Sequence, residues 1–241
     1  MEKERVDICG INESGLNDDE FVDGGEGYEW FGCNRPAIEG KGGGVGFLVK
    51  KGLQVSELKE YTGKDCLALC VKGMSGSGVN VILVNVYQKC EGVNVVENKE
   101  RMAMFQKVTE QARMKGEMLI VGGDFNGHIW ELDGVENVNG RMLKECAIEN
   151  DLEIMNVIWN RMQKCTWESG GRSYHLDYIM VNDSCREKVK DSWLGGLDDV
   201  VERDHRVVGL RMEWVGETRK RGGAKKKRIV PVDKWEEFGR K

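Results

Sequence analysis

Asp124 and Asn126 stand two residues apart in the stretch Met118–Ile129, which reads Met-Leu-Ile-Val-Gly-Gly-Asp-Phe-Asn-Gly-His-Ile. In an extended backbone that spacing sends both side chains the same way, and a carboxylate beside an amide suits water activation or metal binding. Asp-Phe-Asn-Gly is also good turn chemistry, because Asp and Asn side chains bond their own backbone and tolerate left-handed angles. Other polar groups recur in similar settings. Glu13 follows an apolar run in Asn12-Glu13-Ser14, where a helix cap or loop acid is the competing role. Tyr87 closes Val79–Tyr87, where its phenol can reach a phosphate or simply pack. Asp177 sits inside an apolar segment and must be paired or hydrogen-bonded if buried. His205 follows Asp204, and neighbouring acids can hold an imidazole charged, although a single histidine more often serves structure.

The elements that must carry these groups are short. Met118–Val121 is a continuous apolar run that reads as a strand buried on both faces, with Gly122-Gly123 ending its regular pairing. Ligands bind at the carboxyl ends of strands in an open α/β sheet, so Asp124 and Asn126 fall on the rim. Val6–Ile11 reads as a strand leading to Glu13. Gly42-Gly43-Gly44 is a turn feeding the strand Val45–Val49, and neither phosphate-loop pattern is met there, because the glycines do not open a helix. Leu67–Val71 and Val79–Tyr87 form a hairpin across Met74–Gly78.

Met102, Phe105, Val108 and Ala112 recur at helical spacing and predict a helix over Asn98–Lys115, with Asn98 as cap and Gly116 as stop. Gly140–Asn150 is a second amphipathic segment, followed by a short strand at Leu152–Val157. Cys165-Thr166-Trp167 and Tyr174–Val181 flank Glu-Ser-Gly-Gly-Arg, which predicts a hairpin whose second strand carries Asp177. Arg206–Trp214 is the final strand.

A chain of 241 residues is long enough for one large α/β domain with a full core. The formal net charge of -5 is unevenly placed, since Arg219–Arg228 is a basic run that favours a polyanionic partner. The eight cysteines contain no Cys-x-x-Cys pair, and Cys66 and Cys70 have no neighbouring histidine, so they read as reduced core residues of an intracellular protein. No stretch is hydrophobic enough for a signal peptide or a membrane span, which argues against secretion and against a membrane partner. Periodicity is lost past Val215. Residues 1–215 therefore read as the domain and 216–241 as a basic linker or tail.

Taken together, the ordered motifs resemble the endonuclease/exonuclease/phosphatase superfamily, the fold of pancreatic deoxyribonuclease and abasic-site endonucleases. Asn-Glu-Ser stands for its Gln-Glu-Thr, Gly43-Gly44-Val45 for its Gly-Gly-Val, and Asn85-Val86-Tyr87 for its Asn-x-Tyr. Gly123-Asp124-Phe125-Asn126 is its most recognisable signature, and Thr166, Leu176-Asp177-Tyr178 and Asp204-His205 complete the set. The resemblance covers about Val6 to Trp214. Its wording Asp-Tyr-Ile-Met-Val is most like the endonuclease domain of non-LTR retrotransposons, or a host protein derived from one. The basic tail resembles the linker towards a reverse transcriptase domain in such polyproteins.

The resemblance implies a two-sheet α/β sandwich, layered α-β-β-α, with its site along one edge. It implies a nuclear, magnesium-dependent endonuclease that nicks DNA, with manganese as a possible substitute and no small-molecule cofactor. In that scheme Glu13 ligates the metal with Asp204 as a second metal-side carboxylate. Asp124 deprotonates the attacking water, Asn126 holds the phosphate or that water, and His205, oriented by Asp177, meets a phosphate oxygen gaining charge. Tyr87 contacts phosphate and Thr166 supports the site. The family's first strand, carrying an asparagine, and its first helix precede the Glu strand, whereas this chain starts at about that strand. Arg203 stands where a small Ser is usual. A catalytically impaired remnant that binds nucleic acid or protein is the alternative, and an inositol-phosphate or lipid phosphatase is disfavoured because Tyr178 follows Asp177 where those enzymes tend to have Arg.

Overall fold

The computed structural model describes residues 6–36, 43–73, 78–90, 92, 95–159, 164–195 and 204–213. In chain order, β1 (Ile8–Asn12), β2 (Tyr28–Cys33), β3 (Val45–Lys50), β4 (Val55–Glu57), β5 (Cys66–Val71) and β6 (Val81–Tyr87) precede helix α1 (Val95–Lys115). Then come β7 (Met118–Asp124), α2 (Trp130–Asp133), α3 (Val138–Glu149), β8 (Glu153–Ile154) and α4 (Met155–Ile158). The last are β9 (Trp167–Ser169), β10 (Arg172–Tyr174), β11 (Asp177–Val181), α5 (Asp183–Arg186), β12 (Val189–Leu194) and β13 (Val208–Met212).

The main sheet has six strands in the order β4-β5-β6-β7-β11-β8, and β1-β3-β2 form a second sheet. β6 and β7 are parallel, which demands a crossover, and α1 supplies it. Alternation along β6 decides the layering. Ile82, Val84 and Val86 join Phe105 and Val108 of α1 and Leu143 of α3 in one core, while Val81 and Leu83 join Val45, Phe47 and Val49 of β3 in the other. The result is a two-sheet α/β sandwich with apolar cores on both faces of the main sheet. Asn85, on the second of these faces, is buried and donates its Nδ2 to the carbonyls of Ile11 (2.9 Å) and Gly46 (3.0 Å), tying the sheets together.

Several expectations need correction. The glycines Gly122-Gly123 do not end the pairing of β7, which continues to Asp124. Helix α1 begins at Val95, so Asn98 is no cap. It is a buried helical residue whose side chain bonds the Lys89 backbone. Asn137, which accepts the Gly140 N–H at 2.8 Å, caps α3 instead. Leu152–Val157 is strand only at β8 before turning into α4. The Glu-Ser-Gly-Gly-Arg hairpin closes with β10, and Asp177 belongs to the separate strand β11 in the main sheet. Strands β2, β4 and β12 carry mixed polar or glycine-interrupted sequences that show no clean period. All eight cysteines are free, but only Cys66, Cys70, Cys146 and Cys185 are buried, and Cys90 is exposed. Arg203 and the basic tail lie outside the described residues.

Candidate active site

Asp124 reaches the sheet edge because β7 keeps its register through two glycines. Gly123 has φ +147, and a Cβ there would overlap the Val86 carbonyl oxygen, so only glycine lets β7 run this close to β6. The register then sets Asp124 opposite Tyr87 on β6 and opposite Asp177 on β11.

Asp177 Oδ2 lies 2.9 Å from His205 Nδ1, and donor atoms of Asp124, Asp177 and His205 all fall within 4.8 Å of one another. Burial alone lowers the His205 pKa. The hydrogen bond and charge of Asp177, with Asp124 and Asp204 behind it, outweigh burial and raise it to about 9. At neutral pH the ring is an imidazolium donating Nδ1–H to Asp177. Asp124 is 7 % exposed, and desolvation first, then the Asp177 charge, lift its pKa well above the ordinary carboxylate range. Raised proton affinity is what a general base at neutral pH requires.

Backbone pairing places His205. Trp167 and His205 form an antiparallel bridge, flanked by the Glu168 N–H donating to Asp204 O (2.8 Å) and the Arg206 N–H to Thr166 O (2.7 Å). Thr166 is fully buried, and its Oγ1 accepts the N–H groups of Leu176 (2.9 Å) and Asp177 (3.0 Å), which sets the start of β11.

Asn126 is held in the left-handed region at φ +44. Its N–H donates to Asp124 Oδ1 (2.9 Å), and its Nδ2 donates to Gln88 O (2.8 Å) and Asp124 Oδ2 (3.2 Å). The turn and the site are therefore one structure: the Asx turn orients the carboxylate. Tyr87 donates its hydroxyl to Glu13 Oε1, and burial followed by the Glu13 contact raises the phenol's pKa, keeping it a neutral donor. Glu13 is exposed and has φ +52. The Asp204 carboxylate accepts Trp167 Nε1–H at 2.8 Å and stands outside the Asp124–Asp177–His205 group.

Some supporting residues were not apparent from the sequence. Asp133, with a side chain 1 % exposed, meets His128 Nδ1 and His175 Nδ1, each at 3.0 Å. Asn137 and Asn139 donate to the carbonyls of Asn126 and Phe125, holding the loop after Asp124. Asn137 has a legible signal, a cap residue three positions before Gly140. Nothing in the sequence pairs Asp133 with His175 across 42 positions.

Four carboxylates, Glu13, Asp124, Asp177 and Asp204, act on this region, against the cation of His205 among the described residues. An oxygen-rich, net-negative set of this kind fits a hard divalent ion such as Mg2+ or Mn2+. A protonated His205 already bonded to Asp177 is unsuited to ligation, so the carboxylates are the ligand candidates.

No curated protein matches the sequence. Solved structures do match the fold. The endonuclease domain of TRAS1, a telomere-specific non-LTR retrotransposon, superposes with a TM-score of 0.67 at 17 % identity, covering 88 % of each chain. The 3' phosphatase NExo from Neisseria, bound to product DNA hairpin, gives 0.63 at 19 % identity, covering 86 % of this chain and 89 % of that one. The AP endonuclease LMAP from Leishmania major gives 0.68 at 16 % identity, covering 88 % and 80 %. A family model described as the Endonuclease/Exonuclease/phosphatase family matches residues 1–199, most of the chain and every motif up to Asp177. The shared sandwich and this match converge on one assignment: the chain belongs to the endonuclease/exonuclease/phosphatase family.

Proposed function

We propose that this protein is a divalent-metal-dependent phosphodiesterase that nicks DNA. The observation that carries the reading is the Asp177–His205 contact at 2.9 Å beside a buried Asp124 of raised proton affinity. Asp124 takes a proton from the water that attacks phosphorus, and Asn126 holds that carboxylate in place. His205, charged by Asp177, donates to the phosphate oxygen on which charge grows. Glu13, steadied by Tyr87, and Asp204 would hold Mg2+ or Mn2+. When bound, such an ion neutralises the phosphate and the leaving oxygen.

A nucleic-acid substrate is supported by Trp167 and Tyr174, which are half-buried and stacked at 5.8 Å with planes 12° apart, beside Asp204 and His205. A half-buried aromatic pair next to a phosphate site suits base or sugar stacking. The DNA hairpin held by the Neisseria neighbour supports the same class. Likeness to the TRAS1 domain supports a retrotransposon-type endonuclease; action in the nucleus and a reverse transcriptase domain in the same polyprotein belong to the same proposal. The test is nicking of supercoiled plasmid by the purified chain in Mg2+, with chelator as control. His205→Ala and Asp124→Ala are each expected to lower the rate by about 100-fold or more. A rate unchanged in Asp124→Ala would overturn the mechanism.

A further inference from the structure

Asp65 is completely buried and has φ +60, a left-handed angle uncommon outside glycine. Both of its carboxylate oxygens face Arg35, whose Nε donates to Oδ1 at 2.9 Å and whose Nη2 donates to Oδ2. Oδ1 also accepts the Gly44 N–H at 2.9 Å, and Arg101 adds its charge at 3.5 Å. Desolvation offsets most of the attraction in a buried ion pair, so stability is a poor reason for its presence. Its effect is to hold separate segments of chain in one place.

Two threads run from Asp65 to the site. The carboxylate holds Gly44, and the Arg35 guanidinium lies over Gly43, where a Cβ would overlap it. The carbonyls of Gly43 and Gly44 accept the N–H groups of Gly15 (3.1 Å) and Ser14 (3.2 Å), the residues directly after Glu13. The second thread is the Asp65 carbonyl, which accepts the Tyr87 N–H at 2.9 Å. Tyr87 in turn donates its hydroxyl to Glu13. One residue thus supports both ends of the Glu13–Tyr87 contact, from positions far away in sequence.

We propose that Asp65, clamped by Arg35, is a positioning residue that sets where the Glu13 carboxylate stands and hence the affinity of the site for a divalent cation. The proposal rests on the reading of Glu13 as a metal ligand. Glu13 occupies a left-handed angle with no strand partner among the described residues, so its direction depends on the segments that hold Ser14 and Gly15.

The experiment is a titration of the full chain with Mn2+, followed by the free-ion electron paramagnetic resonance signal, with melting temperature measured alongside. Asp65→Asn keeps the size of the side chain and removes the counter-charge of Arg35. It is expected to raise the Mn2+ Kd by about tenfold or more. Arg35→Lys keeps the charge but loses the two-pronged contact, and it is expected to weaken binding several-fold should Asp65→Asn not fold. The double variant Arg35→Gln with Asp65→Asn restores a neutral hydrogen-bonded pair and is expected to recover most of the affinity. A lowered melting temperature with unchanged Mn2+ affinity in the single variants makes the pair purely structural and overturns the proposal. Glu13→Gln separates the two readings. If it binds Mn2+ as tightly as wild type, Glu13 is not the ligand and both readings fail. If it loses Mn2+ while Asp65→Asn and Arg35→Lys bind normally, only the positioning role fails.

Discussion

Asp177 Oδ2 stands 2.9 Å from His205 Nδ1, while the Asp177 backbone pairs in register with Asp124 on the next strand. One residue therefore charges the histidine and raises the proton affinity of the base. In the proposed mechanism the acid, His205, comes from the segment bridged to Trp167 and the base, Asp124, from β7, while Asp177 on β11 acts on both.

The pH dependence follows from that arrangement. With the His205 pKa at about 9, kcat/KM for nicking should stay high through neutral pH and fall as pH rises through about 9. Asp177→Asn removes the raising charge, so the alkaline limb should move down towards the ordinary value of 6.5. An alkaline limb that stays put in Asp177→Asn would mean that another group titrates there. The linked stability has the same sign. Because the folded pKa is raised, the contribution is complete below 6.5 and is lost as pH rises through about 9.

Asp124 has the opposite balance. An acid with a raised folded pKa costs stability once pH exceeds its ordinary value of 3.8, because the fold holds it away from water beside Asp177. Asp124→Asn should therefore abolish nicking yet raise the melting temperature at neutral pH in metal-free buffer by roughly 2–4 °C, about 1 kcal/mol. Calorimetry checks it, and a lowered melting temperature would count against the desolvation cost assigned to this carboxylate.

Thr166 offers a test of positioning. Thr166→Val leaves the N–H groups of Leu176 and Asp177 without their acceptor, at a cost of about 2–4 kcal/mol, and releases the start of β11. Thr166→Ser keeps the hydroxyl and should recover most stability and activity. Denaturant unfolding and nicking rates, measured on both variants, decide the matter.

The basic run near the C-terminus should act through phosphate contacts that release counterions whatever the bases. Deleting Arg219–Lys241 should weaken DNA binding at low salt and reduce the slope of log affinity against log salt by about 0.9 for each phosphate that the tail no longer neutralises. An unchanged slope in fluorescence anisotropy titrations would make the segment a linker only.

Local chemistry was legible in the sequence wherever a short stretch contains its own physical reason. The apolar runs before Asp124 and in β6 and the helical spacing of Phe105, Val108 and Ala112 state their elements directly, because an unbroken apolar run or a helical period is complete within a few residues. Asn126 beside Asp124 was readable for the same reason, since the Asx turn needs only neighbours in sequence. Strand partnership was not. The period of Tyr174–Val181 suits a hairpin arm as well as a sheet strand, and only packing against β7 assigns Asp177 to the main sheet and breaks the segment after Tyr174. Gly123 likewise looked like an ending, because its need to be glycine comes from the Val86 carbonyl of another strand. Asp65 with Arg35, and Asp133 with His175, are contacts between residues 30 and 42 positions apart that meet only in the folded chain. From the sequence alone, Glu13, Tyr87 and Asp124 could be set at the ends of apolar runs, because each run and its terminal polar residue are contiguous. The tertiary structure decided the charge states of Asp124 and His205, because burial and the approach of Asp177 to both His205 and Asp124 exist only in the packed sandwich.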